Sequence, residues 1–364
     1  MKRAIWLIII SVFVLAAYLS LWPVAIEPIR WHAPTTLGYS DAHAVNTKLV
    51  GLHNIFLNGE VGPEHVVLGP DGRLYAGVAS GRILRMEPDG SSQEVFVATG
   101  GRPLGLVFDA GGNLIVADAI KGLLSVTPDG KLTVLTNSVA GEPIRFLNAV
   151  VVAESGKIYF TDSSTRFSPV QWGSTLEAAT LDLLEQSSTG RVLEFDPVTK
   201  VVRAVAKGLG FSNGIALSRD ERNLYVSESG KYRVWKIAVA ADQLDVANHS
   251  AQAQVLFDNL PGYPDNLMRG LDGRIWLGFG GQRNDLDSMA ERPFMRKLIL
   301  RIPRIFWPIP KSYGHVIAFT EDGKVVADLQ DPSGNSPITT GATETSERLY
   351  VHNVNGNSLG WLAR

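Results

Sequence analysis

The chain offers few residues whose types and spacing do chemistry unaided. Asp162-Ser163-Ser164 sets a carboxylate beside two hydroxyls, the residue types of an acyl-transfer nucleophile, yet no Gly-Xaa-Ser-Xaa-Gly turn presents them. The seven histidines show no metal-binding pair at helical spacing, and no Gly-rich loop opens a helix to cradle phosphate. Cysteine is absent, which excludes a disulfide scaffold, thiolate metal sites and a Cys nucleophile. Carboxylates and amides remain, but nothing in their spacing singles out a set. Taken singly, each has an ordinary reading. Asn213-Gly214 reads as a turn, Glu64 as a solvated loop acid and Asp265-Asn266 as a turn cap.

The elements that position these residues follow from composition and repeat. Of 364 residues, 45% are hydrophobic and 19% charged, and 36 are glycine, which calls for many tight turns. The formal net charge of −2 leaves no basic field for a polyanion, so a general nucleic-acid binder is excluded. Residues 4–22 carry no charge and follow Lys2-Arg3. At about 1.5 Å per residue they reach about 28 Å, close to the hydrocarbon thickness of a bilayer. The two cations place the N-terminus in the cytoplasm, and the rest of the chain on the extracytoplasmic or lumenal side. A cleaved signal peptide is the rival reading, but the run is long for one and Leu19-Ser20-Leu21-Trp22-Pro23 is a poor cleavage site. Residues 1–25 are therefore expected to be a single-pass signal-anchor, 26–60 a linker with a lead-in strand, and 61–364 one domain.

That domain is repetitive. Units of polar turn, apolar strand, second turn and second strand begin at Gly69, Asp109, Ala153, Ser218, Gly270 and Thr345. Alternation within the strands has period two, as in Arg73-Leu74-Tyr75-Ala76-Gly77. Six such units predict an all-β fold, a six-bladed β-propeller, since lone sheets bury both faces only by stacking around an axis. A strand near 48–57 is expected to close the ring with the last strands. Residues 163–189 and 283–312 break the repeat. They are expected to form short helical insertions on one face, over the central channel. The second is basic and apolar at once, with Arg283, Arg292, Arg296, Lys297, Arg301, Arg304 and Lys311, and is expected to touch the membrane as a lid.

The order of several motifs resembles a known family. These are Gly101-Arg102-Pro103-Leu104-Gly105-Leu106, Tyr159-Phe160-Thr161-Asp162-Ser163-Ser164, Gly190-Arg191-Val192-Leu193-Glu194-Phe195-Asp196, Phe211-Ser212-Asn213-Gly214-Ile215-Ala216-Leu217-Ser218 and Leu260-Pro261-Gly262-Tyr263-Pro264-Asp265-Asn266. The chain resembles the strictosidine-synthase-like branch of the calcium-dependent six-bladed propellers. That superfamily also holds SMP-30/gluconolactonase proteins, paraoxonases and squid-type phosphotriesterases. In its anchored architecture the chain is similar to the adipocyte plasma-membrane-associated branch.

The resemblance implies one Ca²⁺ at the bottom of the channel, held by Glu64, Asn148, Asn213 and Asp265, with Asn266 as a fifth ligand. Carboxylate and amide oxygens suit such a hard cation. Ala149 stands where the family often has Asp, so a second ion is not implied. The reaction implied is Ca²⁺-dependent hydrolysis of a small-molecule ester or lactone. Asp265, as ligand and base, or His65 beside Glu64 would activate water. The paraoxonase histidine has no counterpart in Pro103-Leu104-Gly105. Strictosidine-type condensation needs an acid in the last repeat, and residues 334–340 supply none. A lyase or condensing enzyme of that type, and a non-catalytic binding propeller pinned by calcium, are the alternatives.

Overall fold

Strands here are buried on both faces wherever a sheet lies between two others. Leu74–Gly77, Leu114–Asp118 and Ile158–Asp162 are buried at every position, while outer strands such as Glu94–Ala98 are largely exposed. The computed structural model describes residues 2–307, 311–336 and 338–364. Residues 308–310 of the second insertion, Pro337 within 334–340 and Met1 lie outside the described residues.

The fold is all-β and propeller-like. Four antiparallel meanders form separate blades. The first runs His65–Leu68, Leu74–Gly77, Arg82–Met86, Glu94–Ala98. The second runs Pro103–Phe108, Leu114–Asp118, Gly122–Val126, Leu132–Thr136. The third runs Leu147–Val152, Ile158–Asp162, Gly190–Phe195, Val202–Leu209, with Leu244–Asp245 added in parallel. The fourth runs Ser212–Leu217, Asn223–Glu228, Arg233–Ala238, Ala253–Phe257. Apart from the short pair Ser138–Val139 and Glu142–Pro143, the remaining strands make one eight-stranded sheet. Within it, Gly262–Arg269, Ile275–Gln282, Gly314–Phe319 and Val325–Asp331 form one meander. Thr339–Glu344, Arg348–Asn353 and Ser358–Ala363 form another, and the pair Phe279–Thr339 joins the two. The lead-in strand His53–Phe56 pairs antiparallel with Ser358–Ala363, so the two ends of the repeat are tied in one sheet. Asp-Gly recurs at the hairpins because the turn needs positive φ, as at Gly90 (86°) and Gly130 (85°).

Apolar side chains fill the spaces between neighbouring sheets. Ile83, Leu106, Val116 and Leu124 lie between the first and second blades, and Val205, Ile215, Val226 and Trp235 between the third and fourth. Burial of this kind is worth about 25 cal/mol per Å² of apolar surface.

Lys2–Leu21 is a 20-residue helix with no buried residue, long and apolar enough to cross a membrane. The stretch that follows is more than a tether. Ile26 and Leu49 are fully buried, and the Ile29 N–H donates to the Glu185 carbonyl at 2.8 Å. The first insertion folds as helices Pro169–Trp172 and Thr175–Glu185. Ser174 caps the longer one by accepting from the Glu177 N–H. The second insertion holds helix Pro293–Ile299. Both pack with Ile26 in one apolar cluster that includes Phe146, Phe167, Leu184, Phe211 and Ile299.

Candidate active site

The inner strands of the third and fourth blades and Gly262–Arg269 begin irregularly, and the irregularity lands on the residues of interest. Pairing registers shift between Leu147 and Val150, between Ser212 and Ile215, and between Pro264 and Leu267. Such bulges re-aim a side chain out of the sheet's alternation. They turn Asn148, Asn213 and Asp265 into one cavity, where Glu64 joins them from just before the first blade. Asn213-Gly214 is thus no turn. It lies in an inner strand, and glycine is needed there for close approach. A Cβ on Gly214 would sit 2.3 Å from the Leu267 nitrogen and 2.5 Å from the Asp265 carbonyl oxygen.

The cavity is about 310 Å³. Glu64, Asn148, Asn213 and Asp265 all line it. Its walls are apolar, including Leu104, Phe146 and Phe211 from the blades. The insertions add Leu183, Ile299 and Trp307, so both cover this channel.

Three oxygens in this cavity are buried without a hydrogen-bond partner: Asn148 Oδ1, Asn213 Oδ1 and Asp265 Oδ1. Unsatisfied buried acceptors are costly. Their orientation is fixed rather than accidental. The Ser163 hydroxyl donates to the Ser212 carbonyl at 2.6 Å, so its oxygen must accept from Asn148 Nδ2, at 3.1 Å. The Ser229 hydroxyl donates to the Pro264 carbonyl at 2.6 Å and accepts from Asn213 Nδ2 at 3.3 Å. Each amide nitrogen is thereby tied to a serine oxygen, while each amide oxygen is left without a protein donor. Glu64 Oε2 accepts from Arg102 Nη2 at 3.1 Å. Burial raises the Glu64 carboxyl, with Arg102 opposing. Burial and the Glu64 charge together raise Asp265 well above the usual carboxylate range. Two converging carboxylates and two amide oxygens, with one guanidinium beside them, fit a hard cation such as Ca²⁺.

Two expected site residues lie elsewhere. His65 does not line the cavity, because strand alternation sends it to the opposite side from Glu64. Its Nδ1 accepts from the Leu106 N–H at 2.6 Å, its Nε2 meets Met268 Sδ, and burial lowers its pKa to about 4. It cannot reach a substrate in this cavity as a base. Asn266 is likewise turned away, its Nδ2 3.4 Å from the Glu64 carbonyl oxygen, and is not brought to the other oxygens as a fifth ligand. Asp162 is fully buried in the frame: Oδ1 accepts from the Phe146 N–H and Oδ2 from Arg191 Nε, both at 2.9 Å. Ser229 and Arg102 are site residues that motif reading passed over, and Ser163, read as part of a possible nucleophile motif, instead orients Asn148. The signal for the serines was present: an acid followed by Ser, Asp162-Ser163 and Glu228-Ser229, recurs at the end of consecutive second strands.

Five cations of the second insertion are engaged by the protein itself. Arg301 Nε and Nη1 reach the Trp22 and Leu19 carbonyls at 2.7 and 3.0 Å, at the end of the N-terminal helix. Arg296 is buried against the carbonyls of Leu184, Ile29 and Ala290. Lys297 pairs with Glu27, Arg304 with Glu177 and Arg283 with Asp287.

A family model described as SMP-30/gluconolactonase/LRE-like region matches residues 70–284, and one described as strictosidine synthase-like, N-terminal, matches residues 41–86. Strictosidine synthase-like protein 7 of Arabidopsis thaliana is 34% identical over 299 residues, 78% of this chain and 72% of its own length. Human adipocyte plasma membrane-associated protein is 30% identical over 336 residues, 86% of this chain and 77% of its own. Among solved structures, a gluconolactonase from Xanthomonas campestris superposes with a TM-score of 0.59 at 19% identity, covering 94% of this chain and 99% of its own. Regucalcin from Agrobacterium tumefaciens, described as a calcium-binding protein, gives 0.56 at 14% identity, covering 85% and 93%. At these identities the structures show a shared fold.

Proposed function

The chain belongs to the SMP-30/gluconolactonase-like and strictosidine-synthase-like family, and from that premise we propose that it is a membrane-anchored, Ca²⁺-dependent hydrolase of esters or lactones. One observation carries the reading: Asn148 Oδ1, Asn213 Oδ1 and Asp265 Oδ1 are buried, unpartnered and gathered with Glu64 in a single apolar-walled cavity. These four residues would hold the ion. When bound, Ca²⁺ supplies Lewis-acid polarisation of a carbonyl and stabilises the developing oxyanion. The chain's own groups do the rest. Leu104, Phe146, Phe211 and the lid residues Leu183 and Trp307 exclude water and seat the apolar part of the substrate. Asp265 doubles as acceptor for the proton of the attacking water. Arg102 restrains Glu64, and Ser163 and Ser229 keep the amide oxygens aimed inward.

The eight-stranded sheet counts as two blades joined at Phe279–Thr339, which makes six around the axis. The N-terminal helix is the single-pass anchor. Arg301 couples its end to the lid, so the cavity is held beside the membrane. Contact of residues 283–312 with the bilayer then falls chiefly to apolar side chains. Phe294, Ile305 and Phe306 are 52%, 83% and 70% exposed, whereas most of the basic groups are already paired.

The test is hydrolysis of a lactone and aryl-ester panel by the full chain in detergent, after chelation and after restoring Ca²⁺. Turnover that disappears with chelator and returns with Ca²⁺ supports the proposal. A Ca²⁺-dependent rise in Tm without turnover on any member would move the reading to a binding propeller with structural calcium. No response of either kind would refute the metal site.

A further inference from the structure

A second cluster of ligating side chains stands apart from the cavity and draws on distant parts of the chain. His43 lies in the short turn of helix Asp41–His43, on the stretch between the N-terminal helix and the first blade. His315 and Asp328 lie on the adjacent antiparallel strands Gly314–Phe319 and Val325–Asp331. Asp328 Oδ2 is 2.9 Å from His43 Nδ1 and 3.0 Å from His315 Nε2, and the three ligand atoms all lie within 4.8 Å of one another. None of the three lines the central cavity.

We propose that His43, His315 and Asp328 form a site for a divalent transition cation of the Zn²⁺ class, which staples the N-terminal stretch to the propeller. Imidazole and carboxylate donors suit Zn²⁺, whereas Ca²⁺ prefers all-oxygen sets, so the two sites differ in the ion they select. Asp328 Oδ2 needs little movement from each imidazole nitrogen, and the two imidazole nitrogens lie within 4.8 Å of one another, for all three to sit about 2.0–2.2 Å from one tetrahedral ion. The carboxylate is already oriented for this. Its other oxygen, Oδ1, accepts from Asn46 Nδ2 at 3.0 Å and Gln330 Nε2 at 2.5 Å, and Gln330 is itself fixed by the Tyr313 hydroxyl at 2.6 Å. Hydrogen bonds of this kind to the far side of a ligand typically hold it in its metal-binding pose. The His315 ring is locked by stacking on Phe279, centroids 4.4 Å apart at 12°. His315 and Asp328 are 1% and 9% exposed and His43 is 17%, so the approach and the fourth, water position lie on the His43 side. One feature limits the affinity. Metal on His315 Nε2 puts the ring proton on Nδ1, which is buried without a partner. A missing outer partner typically costs about 10–100-fold in metal affinity.

The experiment uses the full chain in detergent, stripped with chelator, and titrated with Zn²⁺ alone by calorimetry. Metal analysis after dialysis and the visible spectrum of the Co²⁺-substituted protein accompany it. One equivalent of Zn²⁺ per chain, a tetrahedral Co²⁺ spectrum, and affinity lowered at least about 10-fold by His43→Gln are expected. His43 is the informative position, because it is partly exposed and its loss leaves the buried His315–Asp328 pair intact. Asp265→Asn, which alters the central site, is expected to keep the Zn²⁺ equivalent. The proposal is overturned if the wild type takes up no stoichiometric Zn²⁺, or if His43→Gln binds as tightly as the wild type. The cluster is then a hydrogen-bonded clamp only.

Discussion

Two sets of buried acids, both contributed by the blades, are used in opposite ways. Asp118, Asp162 and Glu228 each end the second strand of a blade. There each accepts from a backbone N–H of the segment entering the first strand: Arg102, Phe146 and Gly210 respectively. They are saturated. Asp118 also takes the Ile120 and Lys121 N–H groups and the Thr99 hydroxyl, and Glu228 takes Arg233 and Trp235. Glu64 and Asp265 sit about as deep, yet Asp265 Oδ1 has no partner and Glu64 has one guanidinium. Burial raises the cost of a charge in both sets. The first set meets that cost with protein donors and so serves the fold. The second leaves it unmet, as the proposed Ca²⁺ site requires.

The comparison is open to breakage, most strongly by exchanging the roles. Asp162→Ala leaves Arg191 and the Phe146 N–H without their partner, a loss of about 3–5 kcal/mol that lowers Tm while sparing a measurable part of the ester hydrolysis in the folded fraction. Asp265→Asn removes a mutually repelling carboxylate. Metal-free Tm is expected to stay level or rise, while Ca²⁺-dependent turnover falls at least about 100-fold, the scale of losing a main oxyanion-stabilising group. Equal stability losses in the two variants would erase the distinction.

Asp182 in the lid helix is a third kind of acid: buried, with Oδ2 unpartnered, but outside the central cavity. Burial pushes its pKa up to about 7, with Ser164, Lys231 and Arg166 opposing and Glu185 adding to the rise. The native state therefore holds a proton that the unfolded state releases near pH 4. Stability falls as pH rises from about 4 through 7, by up to about 4 kcal/mol. Asp182→Asn is expected to flatten this slope, so that thermal scans at pH 5.5 and 8 differ less than in the wild type. An unchanged difference would count against a protonated Asp182.

Calcium itself gives the next effect. At 100 times its Kd a ligand of the native state adds about 2.7 kcal/mol, and here it bridges several blades. The rise in Tm should be present in the wild type and in Asp162→Ala, and lost in Asp265→Asn.

Two glycines sharpen the contrast at the smallest scale. A Cβ on Gly101 would lie 2.1 Å from Asp118 Oδ1, and one on Gly280 would lie 2.9 Å from Asp265 Oδ2. Overpacking of this kind costs about 1–3 kcal/mol. Gly101→Ala is expected to spend it on stability, with Ca²⁺ affinity unchanged. Gly280→Ala is expected to weaken Ca²⁺ binding with little change in metal-free Tm. Calorimetry and thermal melts on both variants check the crossover.

The sequence by itself determined the all-β repeat, because period-two apolar runs between Asp-Gly turns bury both faces only by stacking. It determined the apolar helix Lys2–Leu21, the pairing of a strand near 48–57 with the last strands, and the two insertions as channel covers. Through family resemblance it pointed to Glu64, Asn148, Asn213 and Asp265, which the fold gathers in one cavity. Tertiary structure decided which neighbours of those residues share the site. His65 and Asn266 are one residue from a site acid, yet neither lines the cavity. Only the bulges at Leu147–Val150, Ser212–Ile215 and Pro264–Leu267 determine which side chain turns inward, and a bulge is a pairing between strands that local sequence does not encode. The pairing of the lid's arginines with backbone carbonyls was also invisible in sequence, where the basic and apolar run reads as a lid touching the membrane. Likewise His43 meets His315 and Asp328 across more than 270 residues, a proximity that only the closed fold creates.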